Sequence, residues 1–475
     1  MYTNLKFYDR LEELSMLNKL SSSRGLKFIV IYGRRRIGKT RLIQEFLTNK
    51  EYAYIFVPKD KTVDLFLDEL SHSENIPKFT GIYDLLRFLF ETKKYVFFDE
   101  FQNFYYMDKS IYSDFQKLID EYKPKGKNVT LLVSGSSFSL MKKILGDYSH
   151  PLYGRTDIMM KLPPLDIGTV MEMLYDIGVK DISEMIKYYA VFGGVPKYYE
   201  YLDRFKTLDF ENTIKMMFFD QRMPFLKDEG KTVLISEFGG EYKIYFSILE
   251  AIASGNTTVG EIANMFEGKS GTASRYLDLL RNEYELVRRE TPITDDPRKS
   301  RIGVYRLNDN FLKFWFAFVK RYESYYEQGR VDELQKIFFE NYEAFVGQAF
   351  EDVSKEFCRK KNSAGSLPFR FDKIGKWWGS YIEEGSKKAL EIDLVALNEI
   401  SGEILFIECK WQTLKLNEAR MILEALKKKS MFVSWKVKNR VEYFGIVGKT
   451  IEGKDKLREK GYLVFDIRDI ESLWR

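Results

Sequence analysis

The chain has 475 residues, and its 75 basic and 70 acidic residues give a formal net charge of +5 at pH 7. This length exceeds what a single hydrophobic core usually organises, so about two to four domains are expected. The weak positive charge neither demands nor excludes a nucleic-acid partner, and two distant cysteines, Cys358 and Cys409, exclude a disulfide framework.

The N-terminal segment is not a typical signal peptide. Asp9, Glu12 and Glu13 interrupt the stretch that a signal peptide keeps apolar. The most apolar window, Phe311–Val319, contains Lys313 and is shorter than the roughly 20 residues that span a bilayer. A cytoplasmic protein without a membrane partner is predicted.

Residues 27 to 165 alternate short apolar strands with helical stretches. The strand-like pieces are Phe28–Tyr32, Tyr95–Phe98 and Thr130–Ser134. Strands that alternate with helices in this way predict a parallel sheet covered on both faces. The predicted fold class is therefore multidomain α/β.

The segment after the first strand matches the pattern of a phosphate-binding loop. Its glycines allow backbone N–H groups to curl around phosphates, its lysine reaches the β and γ phosphates, and its threonine hydroxyl is a ligand for Mg²⁺. A helix follows, which adds its dipole to the site. The loop therefore predicts ATP and Mg²⁺ as cofactors. It consists of Gly33, Arg34, Arg35, Arg36, Ile37, Gly38, Lys39 and Thr40, and the helix continues from Arg41.

Polar residues at the ends of the next two predicted strands complete this site. Asp99 is expected in the Mg²⁺ shell, and Glu100 is expected to orient or polarise the attacking water. A hydroxyl at Ser134 or just beyond it either touches the γ-phosphate or the water, or only forms a turn. ATP hydrolysis is thus predicted for residues 1–165.

The middle of the chain is mainly helical. Residues 166–238, broken at Gly193 and Gly194, predict a helical lid, and residues 311–338 an aromatic connector. Residues 239–310 have three helical patterns and then a basic turn-rich stretch, which are the proportions of a winged helix-turn-helix.

Basic residues of this segment suit contact with DNA phosphates, whereas their acidic neighbours leave packing or protein interaction open. They are Arg275, Arg281, Arg288, Arg289, Arg298, Lys299 and Arg301.

Residues 339–475 predict a separate α/β domain with its own cluster of polar residues. Glu408 and Lys410 alternate along one strand and therefore point to the same face, where Asp393 of a neighbouring strand can join them. The two carboxylates would bind Mg²⁺ or Mn²⁺, and the lysine would activate water or offset developing charge. Glu351, on the preceding helix, is a further candidate metal ligand.

These features together resemble the archaeal-type ATPases of the AAA+/STAND group of P-loop NTPases, in the version fused to a C-terminal restriction-endonuclease-like domain with a D...ExK core. The resemblance covers nearly the whole chain. Besides the loop and Asp99-Glu100, its marks are the segments 7–14, Ser134-Gly135-Ser136, 151–155 and 193–196.

The resemblance implies roles for residues outside the loop. Asp9 and Arg10 would border the adenine, and Pro196 would pack on the base. Arg155 would sense the γ-phosphate, within the chain or from a neighbouring subunit of a homo-oligomer, unless it forms a structural salt bridge.

Three functions are compatible with these predictions. The first is a nucleotide-switched protein that binds or processes DNA and has a metal-dependent nuclease domain. The second is a signalling or scaffolding NTPase with a catalytically silent C-terminal domain. The third is an ATP-controlled transcription regulator.

Overall fold

A computed structural model describes residues 5–73, 76–205, 209–220, 225–239, 242–383 and 386–474. They form two compact units. The first comprises residues 1–165, 194–201 and 233–240, and the second comprises residues 166–193, 202–232 and 241–475. The described residues include no helix that is long and apolar enough to cross a membrane.

The first 165 residues alternate strands and helices, as predicted. The elements are α1 (Leu11–Ser21), β1 (Lys27–Tyr32), α2 (Lys39–Leu47), β2 (Tyr52–Phe56), α3 (Val63–Ser73), α4 (Ile82–Thr92), β3 (Tyr95–Asp99), α5 (Phe104–Met107), α6 (Ile111–Lys125), β4 (Thr130–Gly135), α7 (Phe138–Gly146) and β5 (Ile158–Lys161).

The five strands form a parallel sheet in the order β2-β3-β4-β1-β5, which confirms the predicted parallel sheet. The three predicted strands are its central ones, β1, β3 and β4. They are recognisable in the sequence because they are apolar and buried, whereas the edge strands β2 and β5 are only partly buried. Since β4 lies between β1 and β3, the carboxyl ends of these strands meet at one edge of the sheet.

The described residues between 166 and 238 are mainly helical. The helices are α8 (Ile167–Asp176), α9 (Ile182–Phe192), α10 (Pro196–Phe205), α11 (Phe210–Phe218) and α12 (Glu229–Phe238). The segments 194–201 and 233–240 belong to the first unit, so the predicted lid is divided between the two units.

Three helices and an antiparallel ribbon follow, in the order that the sequence predicts. The 33-residue helix α18 runs through the boundary predicted between residues 338 and 339, because its buried apolar face continues on both sides. The elements are α13 (Tyr242–Ala253), α14 (Val259–Ala263), α15 (Ser270–Asn282), β6 (Val287–Glu290), β7 (Val304–Leu307), α16 (Asn310–Phe314), α17 (Glu323–Glu327) and α18 (Val331–Ser363).

The C-terminal region is built on a separate five-stranded mixed sheet in the order β12-β11-β10-β9-β8. Strands β9 and β10 are antiparallel, with Leu394 opposite Ile407, whereas β10 and β11 are parallel. The elements are β8 (Lys373–Glu383), β9 (Ser386–Leu397), β10 (Glu403–Leu414), α19 (Leu416–Ser430), β11 (Val441–Ile451), α20 (Lys454–Arg458), β12 (Leu463–Asp466) and α21 (Ile467–Trp474).

Candidate functional site

The loop between β1 and α2 has the backbone that a phosphate-binding loop requires. Gly33 has a φ of 153°, and a Cβ atom at this position would lie 2.7 Å from the Leu162 carbonyl oxygen. Gly38, with a φ of 96°, precedes the helix in the left-handed region. Only glycine combines this conformation with so close an approach of another backbone.

Lys39 lies over this loop. Its side chain is 5% exposed, and Nζ donates to the carbonyl oxygens of Gly33 at 2.9 Å and Arg34 at 3.0 Å. Burial lowers the pKa of Lys39, although nearby carboxylates, including Glu100 and Asp99, oppose this effect. The ammonium group is therefore held where the amides of the loop would meet phosphate oxygens.

Asp99, at the end of β3, has partners on three neighbouring elements. Its Oδ2 atom accepts hydrogen bonds from Thr40 Oγ1 at 2.8 Å and from Tyr54 Oη at 3.3 Å. Its Oδ1 atom accepts one from Ser134 Oγ on β4. Burial and Asp99 together raise the pKa of Tyr54. Thr40 and Asp99 thus offer two adjacent oxygen donors, which fit a hard cation such as Mg²⁺.

Ser134 is fully buried, and its hydroxyl is used by Asp99. This position suits the orientation of Asp99 and is poorly suited to direct contact with a phosphate. Tyr54, on an edge strand that the sequence did not indicate, is a partner of Asp99 that sequence reasoning missed.

Glu100 faces a cavity of about 260 Å³ beside the loop. Its Oε2 atom accepts hydrogen bonds from Gln102 Nε2 at 2.5 Å and Ser136 Oγ at 2.6 Å. Gln102 was not predicted, although it follows Glu100 by two residues in the sequence. The cavity is lined by Arg35, Phe56, Lys59, Glu100, Gln102, Asn103, Tyr106, Ser136, Ser137, Leu140 and Ser236.

Residues that the family resemblance places around the base lie in the same unit. Arg10 is buried in a left-handed conformation, where it pairs with Glu13 at 3.2 Å and donates to the carbonyl oxygen of Pro163. The Pro196 ring lies next to the loop, because a Cβ atom on Gly38 would be 3.7 Å from Pro196 Cγ. Asp9, adjacent to Arg10, is also left-handed, with a φ of 55°.

Two other arginines of the predicted site contact the protein itself. The Arg36 guanidinium lies 5.9 Å from the centre of the Tyr201 ring, and Arg41 Nη2 donates to the Leu5 carbonyl oxygen at 2.6 Å.

Arg155 lies at the end of the sheet opposite the phosphate-binding loop. It precedes β5, whose first residue pairs with Ile29 in the first half of β1, whereas the phosphate-binding loop follows the end of β1. Its guanidinium forms two hydrogen bonds with Asp120, at 2.9 and 2.8 Å. This position favours the salt-bridge alternative and disfavours contact with a nucleotide in the same chain, while a role in a neighbouring subunit stays a prediction.

In the C-terminal sheet, Asp393, Glu408 and Lys410 lie together. Lys410 Nζ is 3.0 Å from Asp393 Oδ2 and 2.6 Å from Glu408 Oε2. The backbone N–H of Cys409 also donates to Asp393, at 2.8 Å. Lys429 of α19, which sequence reasoning missed, is 2.6 Å from Glu408 Oε1. Helix packing brings it there, and no local sequence signal indicates it.

The two carboxylates have different proton affinities. Burial and the neighbouring Asp393 raise the pKa of Glu408. Burial acts in the same direction on Asp393, but Lys410 and the Cys409 amide lower the pKa of Asp393 overall. Burial raises the pKa of Glu351 to about 7, although Glu351 pairs with Lys376.

These oxygen ligands fit Mg²⁺ or Mn²⁺ by their chemistry, with Asp393 and Glu408 as the adjacent pair. Within the described part of the chain, however, no three or more His, Cys, Asp or Glu side chains are grouped as a metal site. Two carboxylates therefore lie together, both paired with Lys410, and Glu351 is engaged by Lys376.

The β6–β7 ribbon uses two of its arginines internally. Arg288 pairs with Glu290 at 2.7 Å and with Asp352 of α18 at 3.1 Å. Arg289 donates to the carbonyl oxygens of Pro297 and Ser300 at 2.8 and 2.7 Å. The turn-rich segment is the connection between β6 and β7, and its exposed cations are Arg298, Lys299 and Arg301.

Two family models match the chain. One is described as an ATPase domain predominantly from Archaea and matches residues 7–202. The other is described as Archaea bacterial proteins of unknown function and matches residues 315–422.

Proteins of Methanocaldococcus jannaschii are similar in sequence. An uncharacterized protein is 35% identical over 473 residues, which cover 98% of this chain and 99% of the relative. An uncharacterized ATP-binding protein is 45% identical over 51 residues, or 11% of this chain and 86% of that protein.

Among solved structures, a Walker-type ATPase of Pyrococcus abyssi has a TM-score of 0.49 at 18% identity, with 66% of this chain and 96% of that chain covered. The ORC2 protein of Aeropyrum pernix has a TM-score of 0.46 at 15% identity, with 71% and 96% covered. The phosphate-binding loop, the matched ATPase domain and the full-length relative lead to one conclusion: the chain belongs to the archaeal family represented by the M. jannaschii protein, and it is a P-loop ATPase with a C-terminal domain of a family of unknown function.

Proposed function

We propose that this ATPase is a nucleotide-switched, DNA-processing protein whose C-terminal domain cleaves phosphodiester bonds with the help of a divalent cation. The observation that supports it is the cluster of Asp393, Glu408 and Lys410 on adjacent strands, with distances of 2.6 and 3.0 Å between the lysine and the carboxylates. Two carboxylates can hold a divalent cation for phosphodiester hydrolysis, and a neighbouring lysine can offset the charge that develops on the phosphate.

In the ATPase site, each residue has a task that follows from its position. Lys39 would exchange its bonds to the loop carbonyls for bonds to phosphate oxygens. Thr40 and Asp99 would hold Mg²⁺, which neutralises phosphate charge when bound. Glu100, which Gln102 and Ser136 hold toward the cavity, would orient the attacking water.

In the C-terminal site, Asp393 and Glu408 would hold the cation, and the bound cation would polarise the scissile phosphate. Lys410 would stabilise the charge that develops on the phosphate oxygens or lower the pKa of the attacking water. The pKa of Lys410 is raised by both carboxylates, which outweigh its burial, so it enters the reaction as a cation.

A DNA-binding role for the turn-rich segment rests on its shape and charge. Three helices precede the ribbon, as in a winged helix-turn-helix, and Arg298, Lys299 and Arg301 are exposed on its connecting turn. This turn begins beside the C-terminal sheet, since the Ile293 N–H donates to the Lys376 carbonyl oxygen at 2.9 Å. DNA bound to the turn would therefore be held close to the strand that neighbours Asp393.

Cleavage of labelled single- and double-stranded DNA with Mg²⁺ or Mn²⁺, with and without ATP, tests this proposal. The native chain is compared with Asp393→Ala, and γ-phosphate release is recorded in parallel. We expect cation-dependent cleavage that falls at least about 100-fold in Asp393→Ala, because the cation loses an adjacent carboxylate.

Asp455→Ala provides a matched control, since Asp455 is an exposed acid of the same domain. This variant should cleave like the native chain. Equal cleavage by Asp393→Ala and the native chain would assign the activity to another site and contradict the proposal.

The second candidate is an ATP-dependent switch or scaffold with a silent C-terminal domain. Lys410 and Lys429 both pair with Glu408. They favour this second function, because they occupy the oxygens that a cation would need. ATP turnover without cleavage of any DNA would support this function.

A further inference from the structure

Glu237 is a half-buried acid of α12 that the reaction described above does not use. It lies in the segment 233–240, which belongs to the same compact unit as the phosphate-binding loop. Its Oε1 atom is buried and has no hydrogen-bond partner among the described residues. The preceding residue, Ser236, lines the cavity that Glu100 faces.

The surroundings of Glu237 would also suit a phosphate group. Burial raises the pKa of Glu237 to about 7, and four groups oppose that rise: the backbone amides of Ser139 and Phe138 at the start of α7, and the cations Lys39 and Arg34. Glu237 acts in return on Lys39, where it opposes the lowering of the pKa by burial. A carboxylate thus lies among a helix N-terminus, the loop lysine and a loop arginine, all of which attract anions.

The single positive charge of Lys39 cannot neutralise two anions as fully as it neutralises one. In a P-loop, the lysine reaches the β and γ phosphates. An added γ-phosphate would meet the negative charge of Glu237 in a site that excludes much of the solvent, where like charges repel strongly. ADP, which lacks that phosphate, would meet less of this repulsion.

We propose that Glu237 determines how the site discriminates ATP from ADP: its carboxylate competes with the γ-phosphate for Lys39 and the adjoining amides, so that ATP binds at the expense of this contact. Glu237 is in this sense a specificity residue of the ATPase site. The proposal concerns the ATPase site alone and is independent of any activity of the C-terminal domain.

Binding of ADP and of a β,γ-imido analogue of ATP to the full-length chain, each with Mg²⁺, tests this proposal. In Glu237→Gln the analogue should bind about tenfold more tightly, because a like charge is removed from the site, whereas ADP affinity should change less than about twofold. Glu51→Gln, which removes the charge of an exposed acid of the same unit, should leave both affinities unchanged.

Steady-state hydrolysis gives a second readout. Glu237→Gln should lower KM for ATP and leave kcat within about threefold of the native value, since a competitor has been removed without a change in the reacting groups. Glu237→Asp keeps the charge and should retain the native preference between ATP and ADP.

Equal changes for ADP and the analogue in Glu237→Gln would overturn the proposal, because they would indicate a general structural effect. Weaker binding of the analogue, or a large loss of kcat at constant KM, would also overturn it, since Glu237 would then assist the γ-phosphate or the reaction.

Discussion

At the residue scale, buried charges dominate the nucleotide site. Lys39 and Asp99 are both about 5% exposed, and each is held by hydrogen bonds to neighbouring groups. Glu237 differs from them, because its Oε1 atom has no partner in the described part of the chain. A buried ionised group without full compensation destabilises the fold, and this cost depends on pH.

The stability of the chain should therefore depend on Glu237 in a pH-dependent way. The pKa of Glu237 is about 7 in the folded state and near 4.5 for an ordinary glutamate. The folded state binds the additional proton between these values, so the native chain loses stability as pH rises from about 4.5 to about 7. The charged groups that face Glu237 are Lys39, Arg34 and, when it ionises, Tyr106.

Urea unfolding of the native chain and Glu237→Gln at pH 5 and pH 8 measures this effect. The variant should be more stable than the native chain by up to about 3 kcal/mol at pH 8 and by much less at pH 5. An identical difference at both pH values would contradict the assignment of this titration to Glu237.

At the element scale, close backbone contacts hold connecting segments against the sheet. Gly194, just before α10, accepts a hydrogen bond from the Leu165 N–H at 2.8 Å. A Cβ atom at Gly194 would lie 2.0 Å from the Leu165 carbonyl oxygen, and this oxygen belongs to backbone that cannot rotate away. The contact positions Pro196 next to the phosphate-binding loop.

Gly194→Ala should destabilise the chain by at least about 2 kcal/mol and weaken ATP binding, because one of the two backbone segments has to move. Denaturant midpoints and nucleotide titrations measure both effects. Gly260→Ala is the control, since a Cβ atom there meets no other atom within 4 Å. A Gly194→Ala variant as stable as the control would refute the predicted clash.

The turn between β6 and β7 is a second element of interest. It has exposed cations, and hydrogen bonds from Arg289 hold its backbone. Arg289 binds the carbonyl oxygens of Pro297 and Ser300, and its guanidinium fills the space that a side chain at Gly303 would need. The exposed residues Arg298 and Arg301 are thus presented by an ordered turn.

Alanine replacement of Arg298 and Arg301 together should weaken DNA binding and reduce the slope of log affinity against log salt by about 2, because two phosphate contacts are lost. Binding of labelled duplex DNA over a range of salt concentrations measures the slope. The Lys19→Ala/Arg24→Ala variant removes two exposed cations elsewhere and should behave like the native chain. Unchanged affinity and slope in Arg298→Ala/Arg301→Ala would exclude this surface as a DNA contact.

At the scale of the whole molecule, the two candidate sites lie in different compact units. The ATP site belongs to the first unit, and the Asp393–Glu408–Lys410 cluster belongs to the second. Each site has its residues supplied by its own unit, so each chemistry can be removed without altering the residues of the other. Control of one by the other requires that ATP changes the second unit.

Paired variants should separate the two activities. Lys39→Ala should lose ATP turnover by at least about 100-fold without unfolding, because the phosphates lose their main cation. Cleavage by this variant should no longer respond to ATP, whereas Asp393→Ala should keep native ATP turnover. Malachite-green phosphate release and DNA cleavage, measured on the same preparations, provide the comparison. Undiminished ATP turnover in Lys39→Ala would contradict the assignment of the ATP site.

The sequence by itself determined those features of the protein that arise from residues adjacent in the chain. The order of glycines, lysine and threonine from Gly33 to Thr40 specifies a loop whose function resides in its own backbone. The central strands are apolar along their whole length, which predicted a parallel sheet that the structure confirms. The alternation of Glu408 and Lys410 along one strand likewise predicted that they share a face.

Contacts between distant segments were decided by the tertiary structure. The sheet order placed β4 between β1 and β3, so that Ser134 became a partner of Asp99. Packing of α12 and α19 brought Glu237 and Lys429 to the two sites. Strand direction placed Arg155 at the end of the sheet away from the phosphate-binding loop. Such contacts join residues far apart in the chain, and no local periodicity or motif records them, because they arise only when whole elements pack.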